Sequence, residues 1–152
     1  MFFISADPKG KVYHDLIDLA FECCDEFILV LRQDMYVSQN AKNVLERLSP
    51  SLIEVKEQYE WPGTLLGGGR PALVYYFRTD KQAKRIIKKA SNSLHSWVQP
   101  ALPEDLSFRK GEVLWLVNTS HEASSSLIIN NKDDVDKFLN IRNLESIEYH
   151  KK

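Results

Sequence analysis

From Val12 to Glu26 the apolar residues Val12, Tyr13, Leu16, Ile17, Leu19, Ala20, Phe21, Cys23 and Cys24 recur at helical spacing, and Asp15, Asp18, Glu22, Asp25 and Glu26 fill the opposite arc. A second stretch, Lys81 to about Val98, repeats the pattern with the other sign. Its apolar side is Ala83, Ile86, Ile87, Ala90, Leu94 and Trp97, and Lys81, Lys84, Arg85, Lys88 and Lys89 lie across from it. Helices with one apolar face need an apolar surface to cover, which restricts the chain to a layered architecture.

The surface comes from short segments of β type. Phe2–Ser5 reads as a strand ending in an Asp7-Pro8-Lys9-Gly10 turn, and Phe27–Leu31 as a buried strand. Ser38 caps a helix to about Leu48, and Leu52–Tyr59 alternates loosely as a strand. Trp61-Pro62-Gly63 ends it, and Gly67-Gly68-Gly69-Arg70-Pro71 reads as a hairpin or wide loop between Leu65-Leu66 and Ala72–Phe77. Asp80 caps the basic helix. Pro100 and Pro103 make 99–105 a connector, and Glu112–Asn118 and Leu127–Asn130 follow as strands. Asn131 caps a helix to about Ile141, and Leu144–Tyr149 closes the chain as a strand. The expected fold is a single α+β domain over 1–152, with about seven strands in a mixed sheet and about four helices packed on it. A length of 152 residues suits one core.

The net charge of -1 argues against a nucleic-acid binder or a membrane-surface protein. That total conceals a basic middle, since residues 67–110 carry nine basic and three acidic side chains. A localised electrostatic contact stays open. Apolar runs such as Phe27–Leu31 are far short of the roughly 20 residues that span a bilayer, and Met1–Ser5 lacks a basic leader, so the expected location is the cytoplasm. Two adjacent cysteines make neither a disulfide framework nor a paired zinc site. Both fall in an apolar arc among acids, which marks them as unreactive core residues.

No motif identifies a reaction. The triple glycine with Arg70 has the composition of a phosphate-binding loop, but such loops lead into a helix, whereas Pro71 and a strand follow here; a plain turn is the simpler reading. Ser120-His121-Glu122, at the end of the strand containing Trp115, is the best acid–base grouping, with His121 and Glu122 as candidate catalytic residues. Its competitor is a polar strand cap. Trp61, Gly67, Gly68, Gly69, Arg70 and Trp115 are candidate ligand-binding residues. His14 and Asp18, one helical turn apart, have metal-ligand spacing but lack further ligands, so no metal and no cofactor is expected. The arc of Lys81, Lys84, Arg85, Lys88 and Lys89 is either a partner face or a solvated helix.

The stretches FFISADPKGKVYHDLIDLAFECCDEFILVLRQDM, EWPGT, SLHSWVQPALPEDL and WLVNTSHE, in that order, resemble a family of small uncharacterised proteins of spore-forming bacteria, some labelled stage III sporulation protein AH. The resemblance covers nearly the whole chain. It implies a bacterial, cytosolic, stand-alone protein and transfers no catalytic motif.

The leading functional expectation is a non-enzymatic protein-binding protein, an immunity-type inhibitor or regulatory partner, on the ground of the opposed acidic and basic helices. Self-association of those two faces is a variant of it. The alternative is a small enzyme or ligand-binding domain with a pocket around Trp61, Arg70 and His121.

Overall fold

The computed structural model describes residues 1–144 and 149–151. Its strands are β1 (Phe2–Ile4), β2 (Glu26–Leu31), β3 (Leu52–Gln58), β4 (Glu60–Trp61), β5 (Thr64–Leu65), β6 (Ala72–Arg78), β7 (Glu104–Lys110), β8 (Val113–Thr119), β9 (Ser124–Leu127) and β10 (Tyr149–Lys151). Its α-helices are α1 (Lys11–Cys23), α2 (Gln39–Leu48), α3 (Lys81–Ala90) and α4 (Lys132–Leu139). Ser38, Asp80 and Asn131 each accept a backbone N–H three residues on, from Ala41, Ala83 and Asp134, as their side chains suggest.

Eight strands form one sheet in the order β10-β1-β9-β8-β7-β2-β6-β3, and each pairing is antiparallel. The helices cover one face of it, with α1 touching both α3 and α4, and α2 touching α3. Phe27 and Phe77 on neighbouring strands stack at 4.9 Å, and Phe108 meets Phe21 of α1 edge-on at 5.3 Å. The result is a single α+β domain. Among the described residues no helix is long and apolar enough to cross a membrane.

Several elements differ from expectation. The basic helix stops at Ala90 rather than Val98, because Ser91 and Ser93 turn into a hydrogen-bonded corner where the Ser93 hydroxyl donates to Asp7 at 2.7 Å. Trp97 still fills the core, fully buried, but from outside the helix. The presumed connector gives way at Glu104 to β7, which pairs with both β2 and β8 near the middle of the sheet. The strand expected at Leu127–Asn130 is instead Ser124–Leu127. The expected terminal strand falls partly on residues 145–148, outside the described residues, and Tyr149–Lys151 is strand.

The hairpin turns at Pro62-Gly63, between β4 and β5, and not at the triple glycine. It lies over the second face of the sheet, where Trp61 and Leu66 pack on Ile28, Val30, Val74 and Tyr76. Gly63 has φ +84, and a Cβ there would overlap Thr119 Oγ1 and come within 3.1 Å of Val117 on β8. Glycine is required twice over, for the left-handed backbone and for the close approach. Gly63→Ala is therefore expected to cost at least ~1–2 kcal/mol, the left-handed penalty alone, and to lower the thermal midpoint. An unchanged melting curve would place the hairpin elsewhere.

The opposed charged helices face each other within one molecule. Asp18 of α1 lies 2.8 Å from Lys88 and 3.8 Å from Lys84 of α3, and Glu22 lies 3.0 Å from Lys137 of α4. Much of the acidic face is thereby matched inside the chain, which leaves Lys81, Arg85 and Lys89 as the exposed remainder of the basic arc.

Candidate functional site

Where β2 ends and β7 begins, four charged or titratable side chains converge under the hairpin. Arg32 follows the buried run of β2 directly, Glu104 and Asp105 open β7, and His121 sits in the short turn after β8. Glu104 is 1% exposed and Asp105 fully buried. Asp105 has φ +58, a left-handed conformation that Asp tolerates better than most residues and that swings its carboxylate beneath Trp61. One oxygen accepts from Trp61 Nε1 at 2.9 Å, and the other accepts the Ser120 backbone N–H at 2.8 Å.

Arg32 is held by its own backbone. Gln99 accepts the Arg32 N–H at 2.6 Å and donates to the Arg32 carbonyl at 3.2 Å, so a side-chain amide replaces a strand neighbour. The guanidinium lies 5.3 Å from the Trp61 ring centre, with Nε 3.1 Å from Glu104 Oε2. Those two atoms are close enough for strong attraction but are not aligned as a hydrogen bond. Burial raises the Glu104 carboxyl above the ordinary glutamate value; Arg32 opposes that rise, and the neighbouring Asp105 adds to it.

His121 closes the cluster. Its Nδ1 is 3.4 Å from Asp105 and 3.8 Å from Glu104, and its Nε2 is 3.4 Å from Arg32 Nη2. An arginine only donates, so Nε2 meets it as an acceptor while Nδ1 faces the carboxylates. A buried carboxylate beside an imidazole held between it and a guanidinium supplies the parts of an acid–base device. The same geometry fits a metal ion poorly. Glu104, Asp105 and His121 do bring three ligand atoms within 4.8 Å of one another. However, the Arg32 guanidinium already supplies positive charge beside Glu104 and His121.

The structure separates most of the other residues singled out by sequence. Glu122 is exposed beside His121. Ser120 spends its hydroxyl on the Leu94 carbonyl and on Asn118, not on His121. Trp115 points to α4, where its indole donates to Asp134 at 3.2 Å. Gly67 and Gly68 stand in open space, whereas the backbone N–H of Arg70 donates to the Asp34 carboxylate, which a Cβ at Gly69 would overlap. The anion held by the glycine loop is thus one of the chain's own. Arg70 itself donates to Gln33 at 2.8 Å, and the cation at Trp61 and His121 is Arg32. His14 contacts Asn92 at 2.7 Å, so the spacing with Asp18 forms no ligand pair. Sequence reading passed over Arg32, Glu104 and Asp105; the one available signal was charge placed directly against an apolar strand and a proline.

Both thiols are quenched by their surroundings. Burial and a hydrogen bond to Asp134 push Cys23 up to about 11, and burial raises Cys24 further. Neither should react appreciably with an aromatic disulfide reagent at pH 8 in the folded protein, and both should react after denaturation. A fast folded-state reaction at either position would contradict this packing.

No protein-family model, curated protein or solved structure matches the chain.

Proposed function

We propose that the chain is a protein-binding module of the inhibitor or regulatory kind, docking through the outer edge of β3 and the loop corner beside it. The observation that carries this is the distribution of exposed apolar side chains. Nine large ones are exposed among the described residues, and six of them, Met35, Tyr36, Ile53, Val55, Tyr59 and Leu65, belong to β3, the hairpin after it and the loop after β2. These segments adjoin. Tyr59 donates to the Gly69 carbonyl, and Gln33 to the Pro71 carbonyl at 2.7 Å, which ties the corner together at one end of the sheet.

β3 ends the strand order, so its outer backbone groups face no other strand among the described residues. Such an edge accepts an added strand through main-chain hydrogen bonds, with side-chain pockets setting specificity. In the same corner, at the ends of β2 and β6, a cavity of about 200 Å³ lined by Leu31, Met35, Val37, Leu73 and Arg70 among others has room for an anchoring side chain. A photo-crosslinking residue placed at Tyr36 or Val55 in cells that make the protein should yield a defined adduct, and one at Glu122 or Lys132 should not. Adducts formed only at the second pair would remove this reading. A second reading, a small acid–base enzyme, draws support from the oriented imidazole of His121 and requires that His121→Ala abolish a ligand- or substrate-dependent signal.

A further inference from the structure

The charge order along β3 is self-complementary. On the face shared with the hairpin, Glu54 stands opposite Tyr76 of β6 and Lys56 opposite Val74; on the helix-covered face, Val55 stands opposite Tyr75 and Glu57 opposite Leu73. Lys56 lies 3.4 Å from Glu54 within the strand and 5.5 Å from the Tyr76 ring centre, and both charged side chains are about half exposed (54% and 43%). Together they form a short row of charge along an open edge.

We infer that the partner this edge takes is a second copy of the chain, with the two β3 strands antiparallel about a twofold axis at Val55. This rests on β3 being the docking edge. A twofold axis perpendicular to the sheet keeps each side chain on its own face only if the axis passes through a residue, because side chains alternate with period two. Three central registers remain. An axis at Glu54 sets Glu54 against its own copy, and an axis at Lys56 does the same for Lys56, so both oppose like charges. An axis at Val55 sets Glu54 against Lys56 twice and Val55 against Val55, with Ile53 taken out of the alternation by the bulge between Leu52 and Glu54. Only that register matches charge with charge and leaves an apolar pair at the centre. The interface is isologous, as a closed dimer requires, and it would remove the exposed edge from both subunits.

Sedimentation of the full chain and its charge variants tests the register. Wild-type protein should dimerise, less so as salt rises. Glu54→Lys and Lys56→Glu alone should each raise the dimer dissociation constant roughly tenfold or more, since two attractive cross-strand pairs become repulsive. An equimolar mixture of the two single variants should form a heterodimer, and the double variant E54K/K56E should dimerise like wild type. All of these positions are exposed, so thermal unfolding of the monomers checks that the fold is intact. Single variants that dimerise as wild type does, or a mixture that stays monomeric, would overturn the register. A wild-type monomer at every attainable concentration would overturn self-pairing. If Val55 crosslinks still captured a different protein in that case, β3 would remain a docking edge; loss of both results would remove the edge as well.

Discussion

Asp105→Ala is expected to destabilise the protein by about 3–5 kcal/mol, the usual cost of removing one member of a buried, hydrogen-bonded charge cluster. The change strands two buried donors, Trp61 Nε1 and the Ser120 N–H, and leaves His121 without its nearest carboxylate. Each stranded donor costs about 1–3 kcal/mol. Alanine is also poorly suited to the left-handed backbone at this position, where φ is +58. Removing the carboxylate relieves its repulsion of Glu104, which returns only part of the loss. Asp105→Asn keeps one acceptor and tolerates the backbone, so it should be markedly milder. Urea unfolding followed by tryptophan fluorescence measures both. Equal midpoints for Ala and wild type would mean that the cluster carries little of the stability.

Arg32→Met should be comparably damaging at neutral pH, about 3–5 kcal/mol, and its defect should shrink in acid. The sign follows from Glu104. Burial raises its folded pKa above the unfolded value, so the folded state holds that proton more tightly. Its contribution to stability is therefore complete below the unfolded pKa and is lost as pH rises through the folded one. Arg32 limits that loss by attracting the ionised carboxylate across 3.1 Å. Without Arg32 the folded pKa rises further, and the penalty of a lone buried carboxylate grows toward neutrality. Thermal midpoints of variant and wild type should converge near pH 4 and separate near pH 7. A gap that does not change with pH would show that Arg32 acts through its packing on Trp61 instead.

What the sequence made legible was governed by local chemistry. The three helix caps, the amphipathic faces and the buried strand of β2 depend on neighbours within a few residues and lie where the pattern indicates, except that α1 ends at Cys23, before Asp25, and Glu26 opens β2. The central strand β7 was hidden because two prolines and two acids precede or begin it. Its place in the sheet is set by Arg32, Trp61 and Ser120, all distant in sequence, which satisfy those acids from other elements. The length of α3 was overread because Leu94 and Trp97 continue the helical spacing although the chain has already turned at Ser91. Trp61 and His121 were both singled out from sequence and do meet, through Asp105. Arg70 presents itself in the sequence as the cation at that pocket because it follows the glycines, whereas Arg32 has the look of a strand end. The acidic and basic helices looked like two partner surfaces because sequence cannot show that α1 and α3 pack side by side.

The claim at the centre is that the outer edge of β3 is an interaction edge, and amide hydrogen exchange measured across a range of protein concentrations tests it most directly. Protection across 52–58 should rise with concentration, and the turn at 119–122 should stay unchanged. Exchange in β3 that is indifferent to concentration and to the proteins crosslinked at Val55, with protection appearing at 119–122 when a small ligand is added, would contradict it and favour the His121 site.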